Sequence, residues 1–464
     1  GRERLGEPGA HPMMGYLKEQ WRVWRQDRLL GAVVRNTSYL FSGSTASMAL
    51  TMFQGVLAAW LLGPAGYGAL GMIVLFTSSI NRLFSFRMGE LVVTYAGQQL
   101  ALGHRQQAAA VIKAAGLSEA LTSVAAYLIL VLLAPLAAVH VLKDELLAPL
   151  IVYYGIALLG NLMTETATAV LQVGSHYRSQ AALTLAQSVL TASWGGVVFL
   201  TGGGVFELLT AYLAGKLLFG LGIMALAFHW LHPVLGAGWW RAPLSLISNR
   251  REMLRFAVST NLSGTINMVI RDSEVLWVGF FLSSLEAGYY KFALAMMNII
   301  LMPVAPFITT TFPEISRSVA KKDWKLLRLL LRRTSLVAAV WTAACAVGLL
   351  LFGEWILGWF RQGTYLPAYP IILILLIGFG CANILFWNRP LLLAFGRPNF
   401  PLKVTALLGA AKTGLMFVLV PVFGYLAQAG LLSGYFVISV LLIVWRGWKC
   451  VRQAEADAPQ EASG

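Results

Sequence analysis

Several ionisable side chains lie inside long apolar stretches of this chain, where charged groups could bind a ligand. The deepest basic residues are Arg82, Lys216, Arg271 and Lys412. A charged side chain at the centre of an apolar membrane span costs at least about 2.5–3.5 kcal/mol unless it finds a partner or water. Arginine offers a planar fork of donors and lysine a compact charge, and both suit phosphate groups. We therefore predict that these four residues bind an anionic ligand in a wet cavity.

Polar side chains accompany the basic residues at helical spacing. Three stripes recur at intervals of three or four residues: Ser263, Asn267, Arg271 and Glu274; Asn161, Glu165, Thr168 and Gln172; Ser78, Arg82 and Ser85. Residues at these intervals share one face of a helix. Asn161 and Asn267 are accordingly predicted to bind the ligand beside the basic residues. Asp272 follows Arg271 directly and is expected to point elsewhere on the helix, because neighbours differ by about 100°.

Each of these residues also has a purely structural interpretation. Arg271 and Glu274 could form an ion pair that locks their helix. Glu165 could hydrogen-bond across helices as a protonated acid. Lys291 lies near a span end and is expected to extend its ammonium towards the membrane surface.

Composition identifies the elements that must position these residues. The chain has 464 residues, of which 58% are hydrophobic and 12% charged, and its mean hydropathy is +0.70. Soluble domains carry roughly 25% charged residues, so a soluble protein is excluded. The apolar runs are long and do not alternate, which excludes a β-barrel. The sequence therefore predicts an all-α polytopic membrane protein.

Twelve transmembrane helices are predicted, since a span needs about 20 mostly apolar residues. The predicted spans are 38–62, 67–93, 110–135, 146–172, 180–201, 205–231, 255–282, 287–313, 334–360, 367–392, 400–421 and 424–447. With a cytoplasmic N-terminus, Lys143 and Arg361 are the only basic residues in the outer loops. The positive-inside rule therefore places both termini in the cytoplasm. The net charge of +15 follows this topology, so no nucleic-acid partner is expected.

Five segments are predicted along the chain: an amphipathic cytoplasmic segment at the membrane surface (1–35), a six-helix lobe (36–231), a cytoplasmic linker (232–254), a second six-helix lobe (255–449) and a flexible cytoplasmic tail (450–464). An internal repeat supports the two lobes. Ala65-Gly66-Tyr67-Gly68-Ala69 follows the first span, and Ala287-Gly288-Tyr289-Tyr290 follows the seventh. The glycines Gly66 and Gly288 are 222 residues apart, as are Gly174 and Gly396 after spans four and ten. A shared offset indicates a duplicated unit in which both lobes have the same orientation.

Four motifs, in order along the chain, resemble those of a known family. They are Leu61-Leu62-Gly63-Pro64-Ala65-Gly66-Tyr67-Gly68, the segment 274–290 (EVLWVGFFLSSLEAGYY), Phe312-Pro313-Glu314-Ile315-Ser316-Arg317, and the segment 389–398 (RPLLLAFGRP). Together they resemble the Wzx-type polysaccharide flippases of the multidrug/oligosaccharidyl-lipid/polysaccharide exporter (MOP) superfamily. Family members often carry an Asp-Arg-like pair where this chain has Glu274-Val275.

The resemblance implies a flippase of the cytoplasmic (inner) membrane that carries a glycan linked to polyprenyl diphosphate. Its implied partners are that lipid, the bilayer and other polysaccharide assembly proteins. No covalent chemistry, metal or organic cofactor is expected, and no phosphate-cradling glycine loop is present. Glu165, Asp272 and Glu274 are candidates for coupling transport to H⁺ or Na⁺.

Three alternatives stay open. A drug/cation antiporter of the same superfamily is expected to keep an acidic residue in the first span, and residues 38–62 contain none. A peptidoglycan-precursor flippase is expected to have fourteen spans. A membrane-embedded glycosyltransferase or polymerase needs catalytic carboxylates in long outer loops, whereas the outer loops of this chain are short.

Overall fold

The architecture follows from a computed structural model that describes residues 28–85, 88–236, 238–247 and 250–461. Within those ranges every element is helical, as the composition predicts. The N-terminal half contains α1 (Arg28–Phe84), α2 (Gly89–Leu91), α3 (Gly97–Ala101), α4 (Arg105–Ala137), α5 (Ala148–Gly160), α6 (Thr164–Val173), α7 (Tyr177–Thr201) and α8 (Val205–Leu235). The C-terminal half contains α9 (Arg250–Asn267), α10 (Glu274–Phe281), α11 (Ser284–Leu301), α12 (Ala305–Ala320), α13 (Trp324–Trp359), α14 (Ala368–Ile384), α15 (Asn388–Ala394) and α16 (Asn399–Glu461).

Short segments of other helix types connect these helices. The π-helical segments are Val92–Ala96, Ala138–Leu142 and Met268–Asp272. The 3₁₀ segments are Glu145–Leu147, Trp239–Arg241, Leu244–Leu246 and Phe360–Gly363.

The protein is a multi-pass membrane protein. Among the described residues, eight helices are long and apolar enough to cross a membrane. Two long ones, Ala46–Phe84 with 39 residues and Asn399–Ala456 with 58, are kinked within their length, so each can supply two crossings. The number twelve and the cytoplasmic termini stay predictions.

Both long helices are interrupted at a glycine. Gly63 has φ 70° and ψ 178°, and Gly424 has φ 68° and ψ −156°. Glycine adopts positive φ without the steric cost that other residues meet. Pro64 follows Gly63 and removes a backbone donor, so the helix changes direction where the sequence predicts the first outer loop.

The predicted fourth span is not one continuous helix. It divides into α5 and α6 at the turn around residues 161–163. The buried Glu119 carboxylate of α4 accepts hydrogen bonds from the backbone N–H groups of Glu165 and Thr166, both at 2.9 Å. This interaction satisfies amides that the first turn of α6 leaves without helical partners. The break changes the helical phase between Asn161 and Glu165, so the two residues no longer share a stripe.

The two halves of the chain pack closely at one end, which we call the Gly63 end. A Cβ atom on Gly68 would overlap the Ser284 carbonyl oxygen, and one on Gly288 would overlap that of Pro64. The repeated glycine motifs therefore pack against each other across the two halves. The largest hydrophobic cluster also contains residues of both halves here.

At the opposite end the hydrophobic clusters separate. One comprises residues between Met88 and Ala257, and another comprises residues between Val304 and Val451. The first cluster includes Met253 and Ala257 of α9, so the start of α9 packs on the N-terminal half, whereas the second cluster lies within the C-terminal half. The two halves are therefore in close contact at the Gly63 end, whereas among the described residues of the opposite end the start of α9 joins the cluster of the N-terminal half and the cluster between Val304 and Val451 stays separate from it.

The predicted segment boundaries are placed as follows. The N-terminal segment 1–35 lies mostly outside the described residues, and α1 begins at Arg28. The predicted linker contacts α4, since its Ala242 carbonyl oxygen accepts a hydrogen bond from the Lys113 ammonium at 3.1 Å. The last helix, α16, continues through the predicted flexible tail to Glu461, and Val451 within that tail is fully buried.

Candidate functional site

A cavity of about 820 Å³ lies between the two halves. Its walls come from α1, α5, α7 and α8 of the first half, and from the π-helical segment 268–272, α10, α11, α14 and α16 of the second. Polar side chains on these walls include Thr51, Gln54, Ser78, Gln187 and Asn298. The volume falls in the usual range for ligand-binding cavities, roughly 300–1,000 Å³.

Three of the four predicted basic residues line this cavity. Arg82, Lys216 and Arg271 contribute their side chains to its wall, and so do Asp272 and Lys291. The described lining residues thus carry four basic side chains and one carboxylate. The balance is strongly cationic, and it arises from both halves of the chain.

Two neighbouring charges, Arg271 and Asp272, line the same cavity. Arg271 and Asp272 were expected to point in different directions on an α-helix. In the structure both line the cavity, within the π-helical segment 268–272, and they contact different partners. Asp272 therefore points in another direction than Arg271, as expected, but towards the same cavity.

The charges in the cavity make specific contacts. Arg82 of the first half forms an ion pair with Asp272 of the second, and the two side chains are 43% and 51% exposed. The Arg271 guanidinium lies 5.1 Å from the centre of the Phe436 ring. Half-exposed pairs of this kind are weak, so Asp272 is a counter-ion that a stronger anion can displace.

Lys291 was not predicted to belong to this site. Its ammonium lies 3.8 Å from the centre of the Tyr67 ring and 3.2 Å from the Tyr67 carbonyl oxygen, and does not extend towards the membrane surface. The sequence did contain a signal, because Lys291 follows the repeated Gly288 by three residues. It therefore shares the helix face through which Gly288 contacts the other half.

Lys412 and Glu274 lie outside the cavity. They form an ion pair with each other, and their side chains are only 3% and 1% exposed. Glu274 also accepts hydrogen bonds from Gln428 Nε2 at 2.7 Å and from the Tyr290 hydroxyl at 2.9 Å. Lys412 donates in addition to the Ile270 carbonyl oxygen at 2.6 Å. The alternative in which Arg271 pairs with Glu274 is not what the structure shows, because Glu274 pairs with Lys412 of α16 instead.

The other predicted residues are distributed elsewhere. Asn161 lies at the break between α5 and α6, where its side-chain oxygen accepts from the Thr164 hydroxyl at 3.2 Å. Glu165 lines a second cavity of about 450 Å³ together with Glu90 and Gln172. The side chain of Asn267 lies outside the described residues. Neither Asn161 nor Glu165 is among the residues that line the central cavity.

Solved structures share this fold. They include the lipid II flippase MurJ in an inward closed conformation, at 13% identity over 88% of this chain and 87% of that one, with a TM-score of 0.68. An inward-facing multidrug resistance MATE family transporter has 14% identity over 88% and 96%, with a TM-score of 0.64. A MOP superfamily transporter from Pyrococcus furiosus, described as having a binding pocket of reverse polarity, has 13% identity over 91% and 96%, with a TM-score of 0.59. The fold is thus that of the MOP superfamily transporters.

The amino-acid sequence identifies a family within these transporters. Residues 56–368 match the family described as "Polysaccharide biosynthesis protein". The chain belongs to this family, and the resemblance drawn from the four sequence motifs is confirmed. No curated protein sequence matches the chain significantly.

Proposed function

We propose that this protein is a flippase that carries a glycan linked to polyprenyl diphosphate from the cytoplasmic to the outer leaflet of the inner membrane. The single observation that carries the proposal is the cationic cavity between the halves, with four basic side chains against one carboxylate. The family supports a role in polysaccharide assembly, and the fold supports transport without covalent chemistry.

The cavity addresses the physical difficulty of moving such a lipid. The polyprenyl chain can stay in the bilayer, whereas the diphosphate and sugars cannot cross hydrocarbon without losing their hydration. Arg82 and Arg271 can each present two parallel donors to phosphate oxygens, and Lys216 adds a point charge. The polar side chains of the cavity wall can replace water around the sugars.

Alternating access would then move the ligand. The halves pack closely at the Gly63 end, whereas at the other end the cluster between Val304 and Val451 is separate from that of the N-terminal half, and the predicted topology places the Gly63 end outside. On this proposal, the described conformation is open towards the cytoplasm. Separation of the halves at the Gly63 end would expose the same cavity to the outer leaflet.

Ion coupling of transport is a further part of the proposal. Of the three candidate carboxylates, Asp272 and Glu274 are each engaged by a basic side chain of the protein. Glu165 lines the second cavity, and all three carboxylates are candidates for binding H⁺ or Na⁺. Other polysaccharide assembly proteins would consume the translocated glycan and so supply an alternative driving force.

Two other transport substrates fit less well. A cationic drug would be repelled by the net positive cavity, which disfavours a drug antiporter. A peptidoglycan precursor shares the lipid diphosphate, and the fold is similar to that of MurJ. The saccharide is therefore what separates this last alternative from the proposed substrate.

Translocation can be measured in proteoliposomes that contain a polyprenyl-diphosphate disaccharide with a fluorescent NBD group on its sugar. Dithionite added outside reduces only the outer-leaflet probe, so the slow loss of the protected fraction reports transfer between leaflets. We expect the wild type to accelerate this loss far beyond protein-free liposomes. An imposed H⁺ or Na⁺ gradient is expected to raise the rate further.

The control variant is Arg397→Ala, which removes an exposed arginine that does not line the cavity. It should flip the probe at the wild-type rate, whereas Arg271→Ala should not. A wild-type protein that leaves the protected fraction unchanged would refute the proposed function. A rate that ignores both gradients would refute ion coupling alone.

A further inference from the structure

One cation of the cavity also contacts the opposite half of the protein at its closed end. Lys291 belongs to α11 of the C-terminal half, and its side chain lies against Gly71 of α1. Its ammonium contacts the ring and the carbonyl oxygen of Tyr67, which also belongs to α1. Tyr67 is almost fully buried. The contact therefore connects the two halves from inside the cavity.

The position of this contact ties it to closure of the Gly63 end. Tyr67 precedes Gly68, whose close approach to Ser284 holds α1 against α11, and Lys291 follows Gly288, which packs on Pro64. If the halves separate there, Tyr67 and Lys291 must also move apart. Closure at this end and the Lys291 contact therefore form and break together.

The chemistry of the contact leaves Lys291 available to an anion. Both of its partners at Tyr67 are uncharged, and within the described residues no carboxylate forms an ion pair with it. Arg82 differs, because Asp272 already neutralises it. An ammonium binds a phosphate oxygen with a charge-assisted hydrogen bond roughly twice as strong as a neutral one. A phosphate in the cavity would therefore compete with Tyr67 for Lys291.

We propose that Lys291 is a latch: it binds Tyr67 while the Gly63 end is closed, and its transfer to a phosphate of the bound ligand weakens that closure. A ligand can shift a conformational equilibrium only by its difference in affinity for the two states. The latch supplies that difference, because the ammonium is shared with Tyr67 in the closed state and fully available to phosphate once the halves separate. This inference rests on the proposed function and adds the residue through which binding promotes opening.

The test measures the distance across the Gly63 end in the full-length protein. Spin labels are placed at Leu146→Cys and Leu366→Cys, exposed positions of the two halves, with the three native cysteines replaced by serine. Pulsed electron paramagnetic resonance reads the distance with and without farnesyl diphosphate, a short polyprenyl diphosphate, and farnesol serves as the uncharged control. In the otherwise wild-type protein, farnesyl diphosphate but not farnesol is expected to add a population of longer distances.

Two substitutions separate the latch from ligand binding. Lys291→Gln is expected to weaken farnesyl diphosphate binding roughly tenfold or more. Because it also removes the ammonium that contacts Tyr67, we expect longer distances without ligand and no further shift when saturating ligand is added. Tyr67→Leu removes the ring and is expected to show longer distances without ligand. Tyr67→Phe keeps both ring and carbonyl and is its matched control, expected to match the otherwise wild-type distribution.

The outcomes discriminate between the two proposals. If saturating ligand shifts the distances in Lys291→Gln as fully as in the otherwise wild-type protein, the latch alone is overturned. The latch is also overturned if ligand-free Tyr67→Leu has the same distance distribution as Tyr67→Phe. An otherwise wild-type protein that does not bind farnesyl diphosphate would overturn the proposed function and the latch with it.

Discussion

Lys412→Ala is expected to destabilise the folded protein strongly, so that little of it accumulates in the membrane. The substitution leaves the Glu274 carboxylate buried without its ammonium partner, and it removes the bond that holds the Ile270 carbonyl of the π-helical segment. Breaking a buried ion pair by removing one partner costs about 3–5 kcal/mol. The thermal midpoint and the amount of folded protein in size-exclusion chromatography measure this effect.

A double substitution shows whether the pair is structural. Lys412→Met with Glu274→Gln removes both charges and keeps the volume, so most of the lost stability should return. Lys325→Ala, which removes an exposed lysine outside the cavity, is the matched control and should fold normally. If Lys412→Ala folds with the wild-type midpoint but loses transport, then Lys412 acts directly on the ligand, contrary to the role inferred from the structure.

Removing either arginine of the cavity is the second change with a large expected effect. Arg271→Ala removes a guanidinium group that can donate to phosphate. Loss of one charge-assisted hydrogen-bond partner costs roughly 1.5–3 kcal/mol, or about 10- to 150-fold in affinity. Arg82→Ala should cost more, since it also leaves Asp272 as an unbalanced negative charge facing the ligand. Binding of a polyprenyl diphosphate to the purified protein, followed by microscale thermophoresis, measures both effects.

The Arg82–Asp272 pair makes this prediction specific. Adding Asp272→Asn to Arg82→Ala removes the unbalanced carboxylate and should recover part of the lost affinity. Arg397→Ala should bind like the wild type. An Arg82→Ala protein whose affinity equals that of Arg271→Ala, and does not respond to Asp272→Asn, would show that Asp272 does not face the ligand.

The sequence predicts the parts of this fold that depend on composition and local residue type. Long apolar runs predict the helices, because backbone groups in lipid must be satisfied within the segment. Gly63 and Gly424 mark changes of direction that fall near the predicted span boundaries. The repeated glycines Gly66 and Gly288 indicate a duplicated unit, and residues beside them pack closely across the halves.

The sequence does not predict where the helical phase changes, and so which side chains share a helix face. Regular spacing places Arg271 and Glu274 on one face, but the π-helical segment between residues 268 and 272 shifts the following turn. The break between α5 and α6 similarly depends on the Glu119 carboxylate, which is 46 residues from the amide of Glu165. Both irregularities are fixed by tertiary contacts that local periodicity does not contain.

The partner of each buried charge likewise depends on tertiary contacts that the sequence pattern does not contain. Lys412 resembles Lys216 in sequence, since each is a basic residue in an apolar run. The structure separates them: Lys216 lines the cavity, whereas Lys412 is paired with a carboxylate 138 residues away. Rules about the cost of charge in a membrane identify such residues but do not say whether water, ligand or protein satisfies them.

The central claim is that the cationic cavity holds a lipid diphosphate that carries a glycan. Native mass spectrometry of the protein extracted from its own membrane tests it most directly, since any retained lipid appears as a mass added to the chain. We expect a polyprenyl-diphosphate glycan on the wild type and much less of it on Arg271→Ala. A wild-type protein that retains only phospholipid, or the same glycolipid at equal abundance on both proteins, would contradict it.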